Sequence, residues 1–417
     1  MKRWMSVFLV ALMVASLLGP MSALADSAGY DLMFWVYSDW TSGKQGELFN
    51  KWADAFIAAN PDVNSITMIG KNDNELLTGV MAGVGLPDCY SASFRDGKKY
   101  YESVNLLDLK PSYDAADEAY RNGWIPEAIE TVQIDGGMWA LPFMSYIPIL
   151  LRNLDVLEAC GIDPAAGIPS WNAFIDQAKT ITEKGYAATH KWSGSWYTAG
   201  AIMAAEPTLT PGYENGATTV KAEQLVPTFE VIKNLAPYCT TALYSDDAAK
   251  EAFKTNKQAF IIDGPWNIEG YDASGVNYDI VAVPALVEGE KTGGMRGWDA
   301  VYAVDSGDEG RNAAIARWLM YITSYEQQKE FTSYIGRPVL RNDVMNDPET
   351  QTLPVAKVSA TAQLGGIKQM DFFQSTVFWS SVVGDISEEV AQGGLSPEDA
   401  ANKTIDAINA LYAEADE

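Results

Sequence analysis

The chain has 417 residues, of which 47% are apolar, and its formal net charge is −26 at pH 7. A surface this acidic repels nucleic acid and anionic lipid, which argues against both as partners. At roughly 150 residues per domain, we expect two or three compact units with ample apolar core.

The first 25 residues have the features of a cleavable signal peptide. Lys2 and Arg3 supply a positive n-region. An apolar run from Val7 to Leu18, too short to span a bilayer, precedes a small-x-small cleavage site at residues 23–25. Asp26 follows the site, where a lipoprotein would carry the acylated cysteine. We therefore predict an exported, soluble, periplasmic protein that is not a lipoprotein; the alternative is a short N-terminal membrane anchor.

The cysteine and histidine content limits disulfide and metal chemistry. Cys89, Cys160 and Cys239 are an odd number, so at most one intrachain disulfide can form, and its pairing is open. Their spacings fit no zinc motif, and His190, predicted to lie in a surface loop, is the only histidine. We predict no metal and no cofactor.

The amino-terminal elements predict a βαβ unit. The apolar, aromatic run from Tyr30 to Tyr37 is typical of a strand buried on both faces, as in a parallel sheet. Apolar residues at helical spacing follow from Leu48 to Ile57 and end at Asn60-Pro61. Ser65 to Ile69 then predicts a second strand.

Further helices and strands alternate along the rest of the chain. Ser170 predicts a helix N-cap, Ser324 with Gln327 a capping box, Gly336 a helix end, and Ser396-Pro397 the start of a last helix. Strands are predicted at residues 259–262, 278–283 and 301–304. Four tryptophans inside these patterns are predicted to be core residues: Trp35, Trp52, Trp171 and Trp318. The fold class is α/β.

Three stretches together resemble a known family. They are Ala140 to Phe143 with the helical segments 154–163 and 169–174, then Ala259 to Trp266 (AFIIDGPW), and finally Phe378-Trp379 to Tyr412. Taken in order, they resemble the extracellular solute-binding proteins of the maltose-binding-protein-like family, which feed bacterial ABC importers. Arg152, where the family commonly has an aromatic residue, and Cys160, where a small residue is usual, depart from the pattern.

This resemblance implies the two-lobed class II periplasmic-binding-protein fold, with a ligand cleft between the lobes and hinge closure. By analogy, three hinge crossings are expected near residues 143–146, 297–301 and 336–341. After the signal peptide, 1–25, the N-terminal lobe is expected to comprise residues 26–143 and 300–336. The C-terminal lobe is expected to comprise residues 146–297 and 341–417.

The resemblance also implies a function. We expect a non-catalytic, monomeric receptor that binds a mono- or oligosaccharide and delivers it to the permease subunits of an ABC transporter. Two alternatives stay open. One is a secreted glycoside-acting enzyme, which needs only two suitably spaced carboxylates. The other is the same receptor fold with a non-sugar ligand, such as a polyamine or a phosphodiester.

Aromatic and polar residues that follow strands are the candidate ligand contacts. A sugar offers an apolar face and a rim of hydroxyl groups, so its receptor needs flat rings and hydrogen-bonding side chains. In α/β sheets such residues stand beyond the carboxyl ends of strands. The predicted ligand-binding residues are Tyr37, Asp39, Trp40, Arg95, Asp96, Tyr146, Trp192, Trp196, Tyr197, Asp263, Trp266, Trp298, Asp299 and Trp379. An alternative role for Asp263 is to cap its turn, and related maltose binders carry an acidic contact where this chain has Tyr146.

Overall fold

A computed structural model describes residues 29–190, 198–206, 208–209, 212–239, 246–290, 295–356, 358–359, 367–368 and 382–415. The predicted signal peptide, residues 1–25, lies outside these ranges. Within them, no helix combines the length and the apolar composition that a membrane span requires.

The described strands form two larger sheets and two short hairpins. In chain order they are β1 (Tyr30–Tyr37), β2 (Val63–Lys71), β3 (Cys89–Ser93), β4 (Gln133–Ile134), β5 (Gly137–Met138), β6 (Ala140–Tyr146), β7 (Ile149–Asn153), β8 (Tyr213–Glu214), β9 (Ala217–Thr218), β10 (Phe260–Asp263), β11 (Tyr278–Val281), β12 (Met295–Ala303) and β13 (Ile367–Lys368).

Helices cover most of the remaining described chain. They are α1 (Gly43–Ala59), α2 (Asp73–Ala82), α3 (Gly97–Ser103), α4 (Lys110–Ala115), α5 (Glu118–Asn122), α6 (Pro126–Thr131), α7 (Leu154–Cys160), α8 (Trp171–Glu183), α9 (Ala199–Ala204), α10 (Ala222–Leu235), α11 (Asp246–Lys254), α12 (Ile268–Ser274), α13 (Glu309–Ile322), α14 (Tyr325–Ile335), α15 (Asn342–Met345), α16 (Gly384–Ala391) and α17 (Pro397–Ala415).

The first sheet confirms the predicted βαβ start. Strand β1 has the predicted bounds and pairs in parallel with β2 and β3. Helix α1 makes the crossover to β2 and ends before Asn60, as predicted. The sheet order is β13-β12-β3-β1-β2, and β6 pairs with the other edge of β12. Strand β12 runs antiparallel to both β3 and β6.

The second sheet is smaller and antiparallel. Strand β7 lies in the middle, between β10 and β11. Its side chains alternate between two clusters: Leu150 enters a large core with the helices of residues 154–235 and 383–411, while Ile149 and Leu151 enter a small cluster with α11 and α12. Both faces of this short sheet are therefore covered.

Two large apolar cores lie in the described part of the chain. The first core contains residues of 32–144 and of 298–356, including Leu340, Val344 and Met345. Residues 341–356 were expected in the C-terminal lobe. Of these, Val344, Met345 and Ala356 pack in the first core, whereas Val355 packs in the small cluster beside β7. The second core includes Val383 and residues of α16 and α17, and the lobe boundaries and hinge crossings stay a prediction.

Most local helix signals are confirmed. The Ser170 hydroxyl accepts a hydrogen bond from the Ala173 amide at 3.3 Å, and Gly336 ends α14 in the left-handed region at φ +80°. The capping box at Ser324 is wrong. Its hydroxyl donates to the Gln327 side chain instead of accepting from the helix backbone.

The buried tryptophans behave as predicted, and His190 does not. Trp52, Trp171 and Trp318 are at most 1% exposed, and Trp35 also lies in the first core. His190, predicted to lie in a surface loop, is buried.

The departure at Arg152 has a structural explanation. Its buried guanidinium donates to both oxygens of Asp279 on the neighbouring strand β11, at 2.8 and 2.5 Å, and to the carbonyl of Pro164 at 3.0 Å. A charged side chain is stable in this buried place because its donors are satisfied.

The three cysteines are unpaired thiols, of which Cys89 and Cys160 are buried. Burial raises the pKa of the Cys89 and Cys239 thiols well above the ordinary value. Both are thus poor nucleophiles in the folded protein.

We expect the protein, purified without a reducing agent, to show three reactive thiols in denaturant. In the folded protein Cys89 should react slowly. Ellman's reagent measures both. A count of one thiol in denaturant would mean that a disulfide forms, against this account.

Phe49 tests the first core. Its fully buried ring stacks on Trp40 with centroids 4.9 Å apart and meets Phe143 at 5.9 Å. Phe49→Ala should lower the free energy of unfolding by about 3–5 kcal/mol because it leaves a cavity. Met33→Ala, at an exposed position of β1, is the control and should change it by less than about 0.5 kcal/mol. Urea unfolding measures both; equal effects would contradict this packing.

Candidate functional site

Three strand ends of the first sheet meet at one place. Residue 299 of β12 lies opposite Ser93, the last residue of β3, and opposite Met144 of β6. Gly297 lies opposite Tyr146, the last residue of β6. Strand β1 runs parallel to β3 and ends alongside it, at Tyr37. The carboxyl ends of β1, β3 and β6 thus converge on the first half of β12.

Two hydrogen bonds join these strand ends. The Tyr37 hydroxyl donates to Oδ1 of Asp299 at 3.1 Å, and the hydroxyls of Ser93 and Tyr146 lie 2.9 Å apart. Asp299 is 5% exposed, whereas Tyr37 and Tyr146 are half-buried. The site therefore presents two phenol rings whose orientation is fixed by buried polar groups.

Tyr146 also contacts the second sheet. Its ring meets Trp266 edge to face, with centroids 6.4 Å apart and planes at 81°. Trp266 lies in the turn Pro265–Asn267 that follows β10, and it is half-buried. The pair brings a ring from each sheet to the boundary between the two cores.

Glycines leave room for both rings. A Cβ on Gly297 would lie 2.2 Å from the Tyr146 ring, and one on Gly264 would lie 2.2 Å from the Trp266 ring. Each ring therefore packs closely against a glycine.

Asp263 fixes the turn that carries Trp266. Its carboxylate accepts from the Gly264 amide at 2.7 Å, the Asn267 side chain at 2.8 Å and the Tyr271 hydroxyl at 2.6 Å, and it is 2% exposed. Asp263 thus takes the capping role that was the alternative to ligand contact.

Trp40 and Trp298 are core residues in this structure. Trp40 is fully buried between Phe49 and Phe143. Trp298 is 2% exposed, stacks on Phe94 with centroids 4.4 Å apart, and donates to the Thr131 hydroxyl at 3.2 Å. A ring with no exposed face cannot stack on a ligand, so neither supports the predicted contact.

Two of the acidic candidates, Asp39 and Asp96, pair with basic side chains. Asp39, in the turn Ser38–Thr41 after β1, accepts from Arg337 at 2.9 Å. Asp96, in the turn Phe94–Asp96 after β3, pairs with Lys99 at 3.2 Å and is buried. Five candidates lie outside the described residues: Trp192, Trp196, Tyr197 and Trp379 as whole residues, and Arg95 in its side chain.

Sequence reasoning missed Ser93, Phe94, Gly297 and Arg337. Gly297 and Ser93 could have been found, since Gly297 directly precedes the candidate Trp298 and Ser93 stands two residues before the candidate Arg95. Arg337 could not, because it reaches Asp39 across 298 residues of sequence.

An open pocket of about 420 Å³ is lined by Phe94, Lys98, Glu127, Glu130, Thr131, Gln133 and Ile134, of which Phe94 and Thr131 also contact Trp298. None of the predicted site residues lines it. Among the described residues, no group of three or more His, Cys, Asp or Glu side chains could hold a metal ion.

The sequence model of the bacterial extracellular solute-binding protein family matches residues 51–358. The chain belongs to this family. A curated relative, the maltotriose-binding protein of Pyrococcus abyssi, is 24% identical over 326 residues, which are 74% of this chain and 67% of that protein.

Solved structures show the fold. The acarbose-binding GacH receptor of Streptomyces glaucescens superposes with a TM-score of 0.77 at 21% identity, covering 93% of this chain and 99% of that one. The cyclic α-maltosyl-1,6-maltose binding protein of Arthrobacter globiformis superposes with a TM-score of 0.76 at 16% identity, covering 93% and 100%. The fold is the two-lobed maltose-binding type, as the sequence resemblance implied.

Gly297→Ala tests the contact that seats Tyr146. The added methyl group must displace the ring, so we expect the variant to be less stable by about 1–3 kcal/mol. In a Tyr146→Ala background the same change should cost much less, because the clash is gone. Urea unfolding of the four proteins measures this, and an equal cost in both backgrounds would contradict the placement.

Proposed function

We propose that this chain is a non-catalytic receptor that binds a neutral carbohydrate between two lobes and delivers it to an ABC permease. The observation that carries the proposal is the pair formed by Tyr146 and Trp266, one ring from each sheet, beside the polar ends of β1 and β3. Rings supply flat area for the apolar face of a sugar, and the neighbouring hydroxyl and carboxylate groups suit its rim.

The relatives support the same ligand class. One is described as binding maltotriose, and the two structures concern acarbose and a cyclic maltosyl-maltose. By analogy we propose that the protein serves the uptake of an oligosaccharide with a glucose-like outline. We also propose that the receptor is exported to the periplasm, is not a lipoprotein and is monomeric.

The proposed lobes follow the two cores. One comprises residues 29–144 with 295–353, and the other comprises the described residues of 149–286 and of 382–412, with Val355 in the small cluster beside β7. Ligand would bind at the passage from β6 to β7, where Tyr146 stands.

The two alternatives receive less support from the described carboxylates. A polyamine receptor needs free negative charge, but Asp39 is paired with Arg337 and Asp299 accepts from Tyr37. A glycosidase needs a carboxylic acid and a second carboxylate facing the scissile bond. Asp299, buried beneath Tyr37, does not suit that task.

A panel of saccharides, spermidine and a glycerophosphodiester tests the proposal by differential scanning fluorimetry. A ligand at a hundred times its Kd stabilises the protein by about 2.7 kcal/mol. We expect a shift with a neutral saccharide and no release of reducing ends. A shift with spermidine alone, or turnover of the saccharide, would contradict the proposal.

Single substitutions locate the site. Tyr146→Ala and Trp266→Ala should each weaken saccharide binding by about tenfold or more, because each removes stacking area worth roughly 1–3 kcal/mol. Tyr101→Ala is the matched control, since Tyr101 is also half-buried with a hydroxyl bonded to one side chain, Asp135. Calorimetric titration measures the three. An equal loss in the control would show a general effect on folding.

A further inference from the structure

We propose that Arg337 is a positioning residue of the cleft, which fixes the Asp39 carboxylate as a neutralised hydrogen-bond acceptor for ligand hydroxyl groups. This inference rests on the proposed function, and it adds Arg337, which does not lie in a loop that follows a strand.

The first step is the geometry of Arg337. Its Nη1 donates to Oδ2 of Asp39 and to the Oε1 of Gln45, both at 2.9 Å. The Arg337 side chain is 8% exposed, whereas that of Asp39 is 51% exposed. A buried guanidinium thus holds one oxygen of a carboxylate whose side chain is half exposed.

The second step is the support behind Arg337. It follows Gly336, the left-handed residue that ends α14. The next residue, Pro338, accepts a hydrogen bond through its carbonyl from the Ser145 amide at 3.0 Å, and Val339 bridges to Met144. The segment is therefore fastened to β6 directly before Tyr146. Through Arg337, the turn after β1 and the end of β6 keep a fixed relation.

The third step is the charge. An ion pair with a buried arginine offsets the negative charge of Asp39, so the carboxylate can still accept a hydrogen bond but attracts a cation less strongly. This arrangement favours a hydroxyl donor over an ammonium group, and so selects a neutral polyhydroxylated ligand over a polyamine.

The test is a double-mutant cycle in the full chain with Arg337→Met, Asp39→Asn and the double variant. Maltotriose is the first probe, followed by the panel saccharide that gives the largest stabilisation. We expect each single variant to bind about tenfold more weakly, and the double variant to bind no more weakly than Asp39→Asn alone. Arg337→Lys, which keeps the charge but not the planar fork, should recover part of the affinity.

Arg311→Met is the matched control. Arg311 is paired with Asp88 at 2.5 Å, at the amino end of β1 and far from the strand ends of the site. It should lower the melting temperature without changing saccharide affinity.

Two outcomes overturn the inference alone. One is saccharide binding by Arg337→Met within about twofold of the unmodified protein. The other is a loss of affinity in the double variant equal to the product of the two single losses, as a merely structural role would give. If the unmodified protein binds no saccharide, the proposed function fails, and the inference that rests on it fails with it.

Discussion

The antiparallel pairing of β12 with β3 on one edge and β6 on the other is the constraint on which the site depends. It brings Asp299 beside Ser93 and Gly297 beside Tyr146. Between Asp299 and Ala300 the register with β6 shifts by one residue, next to Pro142, which has no amide hydrogen to donate. Such a bulge re-aims the side chains beyond it. Because the three strands come from distant parts of the sequence, the site exists only when the first sheet is complete.

The carboxylates of Asp39, Asp263 and Asp299 all have hydrogen-bond partners, and this supports the proposal of a neutral ligand. Asp299 receives the Tyr37 hydroxyl, Asp39 receives Arg337, and Asp263 fixes the turn of Trp266. Although the net charge of the chain is −26, the site therefore offers oriented hydrogen-bond acceptors and aromatic rings rather than unpaired carboxylates. A neutral ligand with hydroxyl groups on its rim and an apolar face matches this arrangement.

Sequence patterns predicted the fold well because β1, α1 and the later helices carry local signals. Apart from Asp31, the residues of Tyr30–Tyr37 are apolar or aromatic, and Gly336 ends its helix in the left-handed conformation that glycine adopts readily. The site was predicted in outline only. Tyr37, Tyr146 and Trp266, which follow or end strands, stay predicted ligand contacts. Trp40 and Trp298 were candidates by the same pattern, but distant parts of the chain bury them in the core. Arg337 was invisible for the same reason: only the folded chain brings it to Asp39.

The central claim is that a saccharide binds between the two lobes, against Tyr146 and Trp266. The most direct measurement is a crystal structure of the full exported chain with the saccharide that stabilises it most. The account predicts a sugar ring in van der Waals contact with both aromatic side chains and a ligand hydroxyl bonded to Asp39. A saccharide bound elsewhere, with Tyr146 and Trp266 still in contact with each other alone, would contradict it.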